Sequence, residues 1–464
     1  MAAVMLKSAA SLLLLLSLPA AAQAPRVAVD PRVELVSIIF RLAGNSEYNQ
    51  GRVPAYNAAI DKWFGPFRNH EAIGVARQFL NKYGVSFDAP ISLAVLLKDV
   101  RTMAERIRVD DKESRLDSRW HGAEARRFLE AARRFVADTK FEEFLASQKD
   151  LYDYSTSGMR SMLEKNADFG WYEKFFGTRA GARFFVIPAL VNGPSNYGRS
   201  IRGEDGVEEN YQVLGVWSVD DGGLPAFQKG LVLTLVHEGA HPYVAPLLDR
   251  AMKQIDGKGD RIFQAEREIM MRQAYGNGAT VLNESLVRAS TARYALAHDG
   301  PDAAREAVAY ECGRGFVWTG QLFDLLGEYE KDRTKYPTME AFLPRLVDYF
   351  NGLAPRAATL RPKVVSIAPV DGTQDADPAI TAIVVKFDRP MVKEHYQVMK
   401  TDAAKWPPVQ HSGYDQTGTV FTMDVKLEPA HEYEFALNTE SGGGFQSADG
   451  IPLARVRVKF RTRR

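Results

Sequence analysis

His237 and His241 stand four residues apart in the segment HEGAH, with Glu238 between them. On a helix that spacing turns both imidazoles to one face, where they can bind a single Zn²⁺, and it brings the Glu238 carboxylate within reach of a water on the ion. Such an ion acidifies its water and polarises a substrate carbonyl, while Glu238 takes the water's proton and passes it to the leaving amine. A half-buried helix carrying two satisfied histidines is the plainer alternative. The apolar lead-in Leu231, Val232, Leu233, Leu235 and Val236 argues against it, because it supplies the buried helix this geometry needs. Pro242 follows the second histidine directly and predicts a kink or an end of the helix there.

A catalytic zinc needs a third protein ligand and an open fourth position. Glu284 is the first candidate, on a helix predicted from Ala279 to Leu296, where Val287, Thr291 and Tyr294 share its face; Asp249, Glu266 and Glu268 are rivals. Arg288, four residues after Glu284, reads either as a surface ion-pair partner or as the group that orients Glu284 from behind. The extended HExxHxxGxxH pattern is excluded, since Val244 and Leu247 occupy its glycine and histidine positions.

The elements around the motif form an α+β pattern. Helical spacing dominates from Val33 to about Phe176, as in Ala125, Phe128, Leu129, Ala132, Phe135 and Val136. Phe184–Ile187 and Tyr211–Trp217 read as strands of a small sheet, with the turn-rich stretch Asn192–Gly198 between them. After Pro355 the pattern changes to short alternating strands at 380–387, 420–427, 432–437 and 456–460, a β-sandwich signature. The predicted division is therefore 1–22 as a signal segment, 23–358 as the metal-binding domain and 362–464 as the sandwich. A chain ending near Ala358 is expected to fold independently.

Lys7, the apolar run Ala9–Leu18 and Ala20, Ala21 and Ala22 form a secretory signal whose cleavage leaves Gln23 first. The run is shorter than a membrane anchor and is broken by Pro19. An exported protein, periplasmic or secreted and without stable membrane insertion, is predicted. Without residues 1–22 the chain carries 58 basic and 58 acidic groups, which speaks against a nucleic-acid partner. Cys312 is the single cysteine, so an internal disulfide is ruled out.

HEGAH followed by NESLVR resembles the gluzincin arrangement, in which HExxH is completed by a glutamate from a later helix. More closely, residues 33–350 resemble an uncharacterised bacterial family of exported HExxH proteins, through ELVSIIFRLAG, NHEAIG, NGPSNYG and HEGAHPYVAPLLD. The resemblance implies a mainly helical zincin-like metallopeptidase fold, zinc on His237, His241 and Glu284, Glu238 as base, and a peptide or protein substrate. It also implies an edge strand near the site that pairs with the substrate. Asn192–Gly198 is the candidate, with Asn192, Gly193 and Asn196 as substrate contacts and Tyr197 as the phenol stabilising the oxyanion. Tyr197 answers equally to a turn aromatic packed on the core, the commoner fate, and His70, Tyr211 and Tyr294 compete for its role.

The C-terminal pattern of Pro369, Asp371-Gly372, Val384–Phe387 and Asp388–Met391 is similar to bacterial immunoglobulin-like domains of the S-layer type, which implies a spacer or a contact with the cell envelope. His395, His411 and His431 there lack paired spacing and read as surface histidines. Two other readings stay open: an envelope binding or assembly protein whose metal is structural, and a hydrolase of cell-wall amides.

Overall fold

In the computed structural model, residues 25–177, 182–255, 257–439 and 443–464 are described; the signal segment lies outside them. The first helices are punctuated as their sequence dictates. Pro31–Ala43 opens on Asp30, whose carboxylate accepts the Arg32 N–H at 2.8 Å, and closes on Gly44 in the left-handed region (φ 101°). Gly122–Asp138 buries the stripe read from its spacing, Ala125 through Val136.

Four strands follow: β1 (Arg26–Val27), β2 (Arg183–Ala189), β3 (Asn196–Arg202) and β4 (Glu208–Gly215), in the order β1-β2-β4-β3. β1, β2 and β4 run parallel, while β3 is antiparallel to β4 and forms one edge. Side-chain alternation distributes the sheet between two cores. Ile187, Tyr197, Ile201 and Val213 join the N-terminal helices, whereas Val186 and Leu214 join the later ones. The sheet is thus sandwiched between two helical layers. The strand expected at 211–217 begins earlier, at Glu208, and the turn-rich stretch becomes strand from Asn196 onward.

The motif helix spans Leu231–Ile255, with Pro242 and Pro246 inside it. The helix does not end at Pro242. Proline's fixed φ is already helical, so its cost is a lost rung and crowding of the preceding turn. Val244, Leu247, Leu248, Ala251 and Ile255 are all buried beyond it, and their packing carries the helix through. The helix Gly278–Asp299, capped by the Asn277 side chain on Thr280 N–H at 2.9 Å, packs against it.

The C-terminal region is all β. β5 (Val364–Ala368), β6 (Ala382–Phe387), β8 (Val409–Tyr414) and β9 (Val420–Val425) form one sheet; β7 (Val398–Lys400), β10 (Glu432–Leu437) and β11 (Val456–Arg461) form the other. Alternate residues such as Ile383, Val385, Phe421, Phe435 and Phe460 fill the space between them. The region does not hang free. Ile451 inserts into the core of the later helices, and Arg361 binds both carboxylate oxygens of Glu266 at 2.9 and 2.8 Å and the Pro452 carbonyl at 2.8 Å. Beside this contact Cys312, 3% exposed, lines a cavity of about 610 Å³ together with Asp449 and Ile451.

Candidate metal centre

His237, His241 and Glu284 come together, each offering a ligand atom within 4.8 Å of the others. His237 Nε2 lies 3.5 Å from Glu284 Oε2, and His241 Nε2 lies 3.5 Å from Glu284 Oε1. Ligands about 2.1 Å from a tetrahedral zinc are about 3.4 Å apart, which the two histidine–carboxylate separations match. Burial pushes His237 down to about 3 despite the opposing Glu284 carboxylate, which keeps the imidazole neutral and able to donate its lone pair. Glu284 is held below its ordinary value: burial acts upward, but His237, His241 and Arg288 outweigh it. Among the rival carboxylates, Glu266 is taken by Arg361, and Asp249 and Glu268 face solvent.

Two groups outside the motif complete the ligand support. Asn283 Oδ1 lies 2.9 Å from His241 Nδ1; accepting that proton fixes the tautomer that leaves Nε2 free. Arg288, 2% exposed, donates to Glu284 at 2.8 Å and to the Tyr275 hydroxyl at 2.7 Å, pairs with Glu311, and stacks on Phe316 at 4.4 Å. It is the orienting group rather than a surface partner. Tyr275 brings its half-exposed phenol within 3.4 Å of Glu284 Oε2.

Glu238 has no hydrogen-bond partner among the described residues. Burial, reinforced by Glu284 and opposed by His241, pushes its carboxyl up to about 7. It lies against β3 at Gly198, where an added Cβ would fall 2.3 Å from Glu238 Oε2. Only glycine permits that approach. The glycine of the motif has a matching reason: a Cβ on Gly239 would fall 2.3 Å from the Tyr172 hydroxyl, which donates to the Leu235 carbonyl at 3.1 Å.

Four expectations need correction. Tyr197 faces away from Glu238, because it alternates with Gly198 along β3; it is 8% exposed and packs near Tyr48 in the N-terminal core. Asn192 is wholly buried and accepts from Ser37 at 3.3 Å, so it anchors the loop instead of meeting substrate. Gly193, at φ 57°, lies so close to Gln50 that a Cβ would fall 2.3 Å from its carbonyl oxygen. The Asn196 side chain ties strand ends together, accepting from Gly215 N–H at 3.1 Å and Trp217 at 3.4 Å, so only its main chain is left to meet a substrate. The phenol and imidazole competitors are equally occupied: His70 caps a helix, Tyr211 is bonded to Glu209 and Arg106, and Tyr294 accepts from Asp168 N–H. The phenol beside the ligands is Tyr275, in a loop where spacing carries no signal.

No curated protein matches the chain. It is similar to solved structures of surface layer protein SbsC: domains 1–6 (14% identity over 50% of this chain and 33% of that one, TM-score 0.18) and the N-terminal part (14%, 50% and 58%, TM-score 0.17). The chain spans less than two thirds of either, and likeness at that TM-score carries no argument. Residues 358–462 match the bacterial Ig-like domain. Residues 26–349 match the family described as domain of unknown function DUF4932, and with most of its length inside that match the chain belongs to this family.

Proposed function

We propose that this protein is an exported zinc-dependent metallopeptidase of zincin type, cleaving peptide bonds outside the cytoplasm. One observation carries the reading: three donors spaced for a tetrahedral ion stand beside an unpaired glutamate that faces an edge strand. Zinc held there supplies a Lewis acid that polarises a carbonyl and acidifies water. Glu238 accepts the attacking water's proton at a carboxylate that burial has made unusually basic, and returns it to the leaving nitrogen. Arg288 and Tyr275 hold Glu284 in place and Asn283 holds His241. The signal-like N-terminus supports export, and no helix among the described residues is long and apolar enough to cross a membrane.

The test is zinc stoichiometry after dialysis together with cleavage of an unbiased peptide library. The purified chain should hold about one zinc, and His237→Ala should hold none. Glu238→Gln should keep zinc while turnover falls by about two to four orders of magnitude. Glu284→Gln should lose zinc on dialysis and regain part of its activity when zinc is added. Loss of zinc by Glu238→Gln with retention by Glu284→Gln would reverse the two roles, and a wild-type protein that cleaves nothing would sink the peptidase reading.

A further inference from the structure

β3 is an edge strand, but its free edge is not open along its whole length. Gly203 N–H donates to the Val207 carbonyl at 2.8 Å, continuing the β3–β4 register, so the odd-numbered residues of β3 bond inward to β4. Asn196, Gly198 and Ser200 therefore carry their N–H and C=O groups outward, where an added strand would bind. At Ser200 that position is taken. Arg115 crosses the edge there: its carbonyl accepts from Arg199 at 2.6 Å on the face of the N-terminal helices, and its guanidinium binds Glu208 at 2.6 and 3.3 Å on the face of the motif helix. On the way it donates to the Ser200 carbonyl at 3.4 Å. Its backbone sits at φ 49°, a conformation uncommon for arginine, so the chain holds this side chain across the edge at some conformational cost.

The consequence depends on where the strap lies relative to Glu238. That carboxylate touches Gly198, and Ser200 is about 7 Å further along the strand. In the other direction the strand begins at Asn196, whose side chain is bonded by Trp217 from just beyond the end of β4; Trp217 is 37% exposed. A guest strand thus has room for one or two residues on the Ser200 side of the reacting bond, and the rest of it must leave past Asn196. Antiparallel pairing is the stronger kind, and a guest so paired points its N-terminus toward Ser200.

We infer that the site is one-sided and removes one or two residues from the N-terminus of a peptide, an inference that rests on the peptidase reading above. Water adds across the amide: its hydroxyl goes to the carbonyl carbon of the short N-terminal piece and its second proton to the new amine of the remainder. Arg115 sets this specificity by occupying the edge.

The experiment incubates the zinc-loaded chain with decapeptides bearing free N-termini and with the same peptides carrying a bulky aromatic acyl cap, and reads products by mass spectrometry. Wild type should cut within two residues of the free N-terminus and should lose at least about tenfold in rate on capped peptides. Arg115→Asn, which tolerates the same backbone conformation, should recover the capped peptides and add interior cuts. Glu208→Gln, which frees the guanidinium without altering the backbone at Arg115, should act in the same direction. As a readout apart from turnover, Glu238→Gln should bind capped peptides at least about tenfold more weakly than free ones, and Glu238→Gln with Arg115→Asn should not. Interior cuts or C-terminal trimming by wild type would overturn the inference and leave the peptidase reading standing. No cleavage of any peptide would overturn both.

Discussion

Asn283 and Glu284 are consecutive, yet both serve the same three-donor centre, Glu284 as a candidate ligand and Asn283 through the far nitrogen of His241. Because the Asn283 amide selects the His241 tautomer, Asn283→Ala should weaken zinc binding by about 10- to 100-fold while the fold persists. Competition with a chelator of known affinity measures it, and unchanged affinity would show that the imidazole orients itself. That His237 and His241 share one face was legible because four-residue spacing on a helix is a geometric statement that sequence can make alone. Asn283 was not, since its partner lies 42 residues away on another helix. Tyr197 misled for the complementary reason: its neighbours in the chain approach the site, but the pleat sends odd and even residues of β3 to opposite layers.

At the scale of elements, the loop that leads into β3 is pinned by a carboxylate inside the first helix. Glu34, fully buried, accepts from the Tyr56 hydroxyl at 2.5 Å and from Leu190 N–H at 3.2 Å. Burial pushes its carboxyl up to about 7, with those two donors pulling the other way. Between its ordinary value near 4.5 and about 7, the folded chain holds a proton that the unfolded chain has released, so stability falls as pH rises across that window and is flat above it. The shift corresponds to roughly 3 kcal/mol at most. Glu34→Gln removes the titration, and urea melts at pH 5 and pH 8 should then differ less than in wild type; an equal difference would clear Glu34. The helices and strands were largely readable from period and punctuation. What periodicity could not reveal is how far the motif helix runs, because its continuation through Pro242 and Pro246 depends on long-range burial of Val244, Leu247 and Leu248.

Over the whole molecule, one family match ends at residue 349 and the other begins at 358. Independence of the two parts was the expectation, and the Arg361–Glu266 pair argues against it. Both side chains are nearly buried, 11% and 6% exposed, so removing the arginine leaves an unpaired carboxylate inside the protein. Arg361→Ala should cost about 3–5 kcal/mol in a urea melt, and a chain ending at Ala358, which also lacks Ile451, should lose at least as much. A shift below about 1 kcal/mol would mark the contact as incidental. Glu266 opens the segment that ends at Tyr275, so the same experiment asks whether the β-domain steadies the metal centre from a distance. Cys312 gives that contact a clock. Its thiol, pushed up to about 11 by burial, sits beside Ile451 and should react with an alkylating reagent faster when the two parts separate. The labelling rate of one native cysteine therefore counts how often the molecule comes ajar.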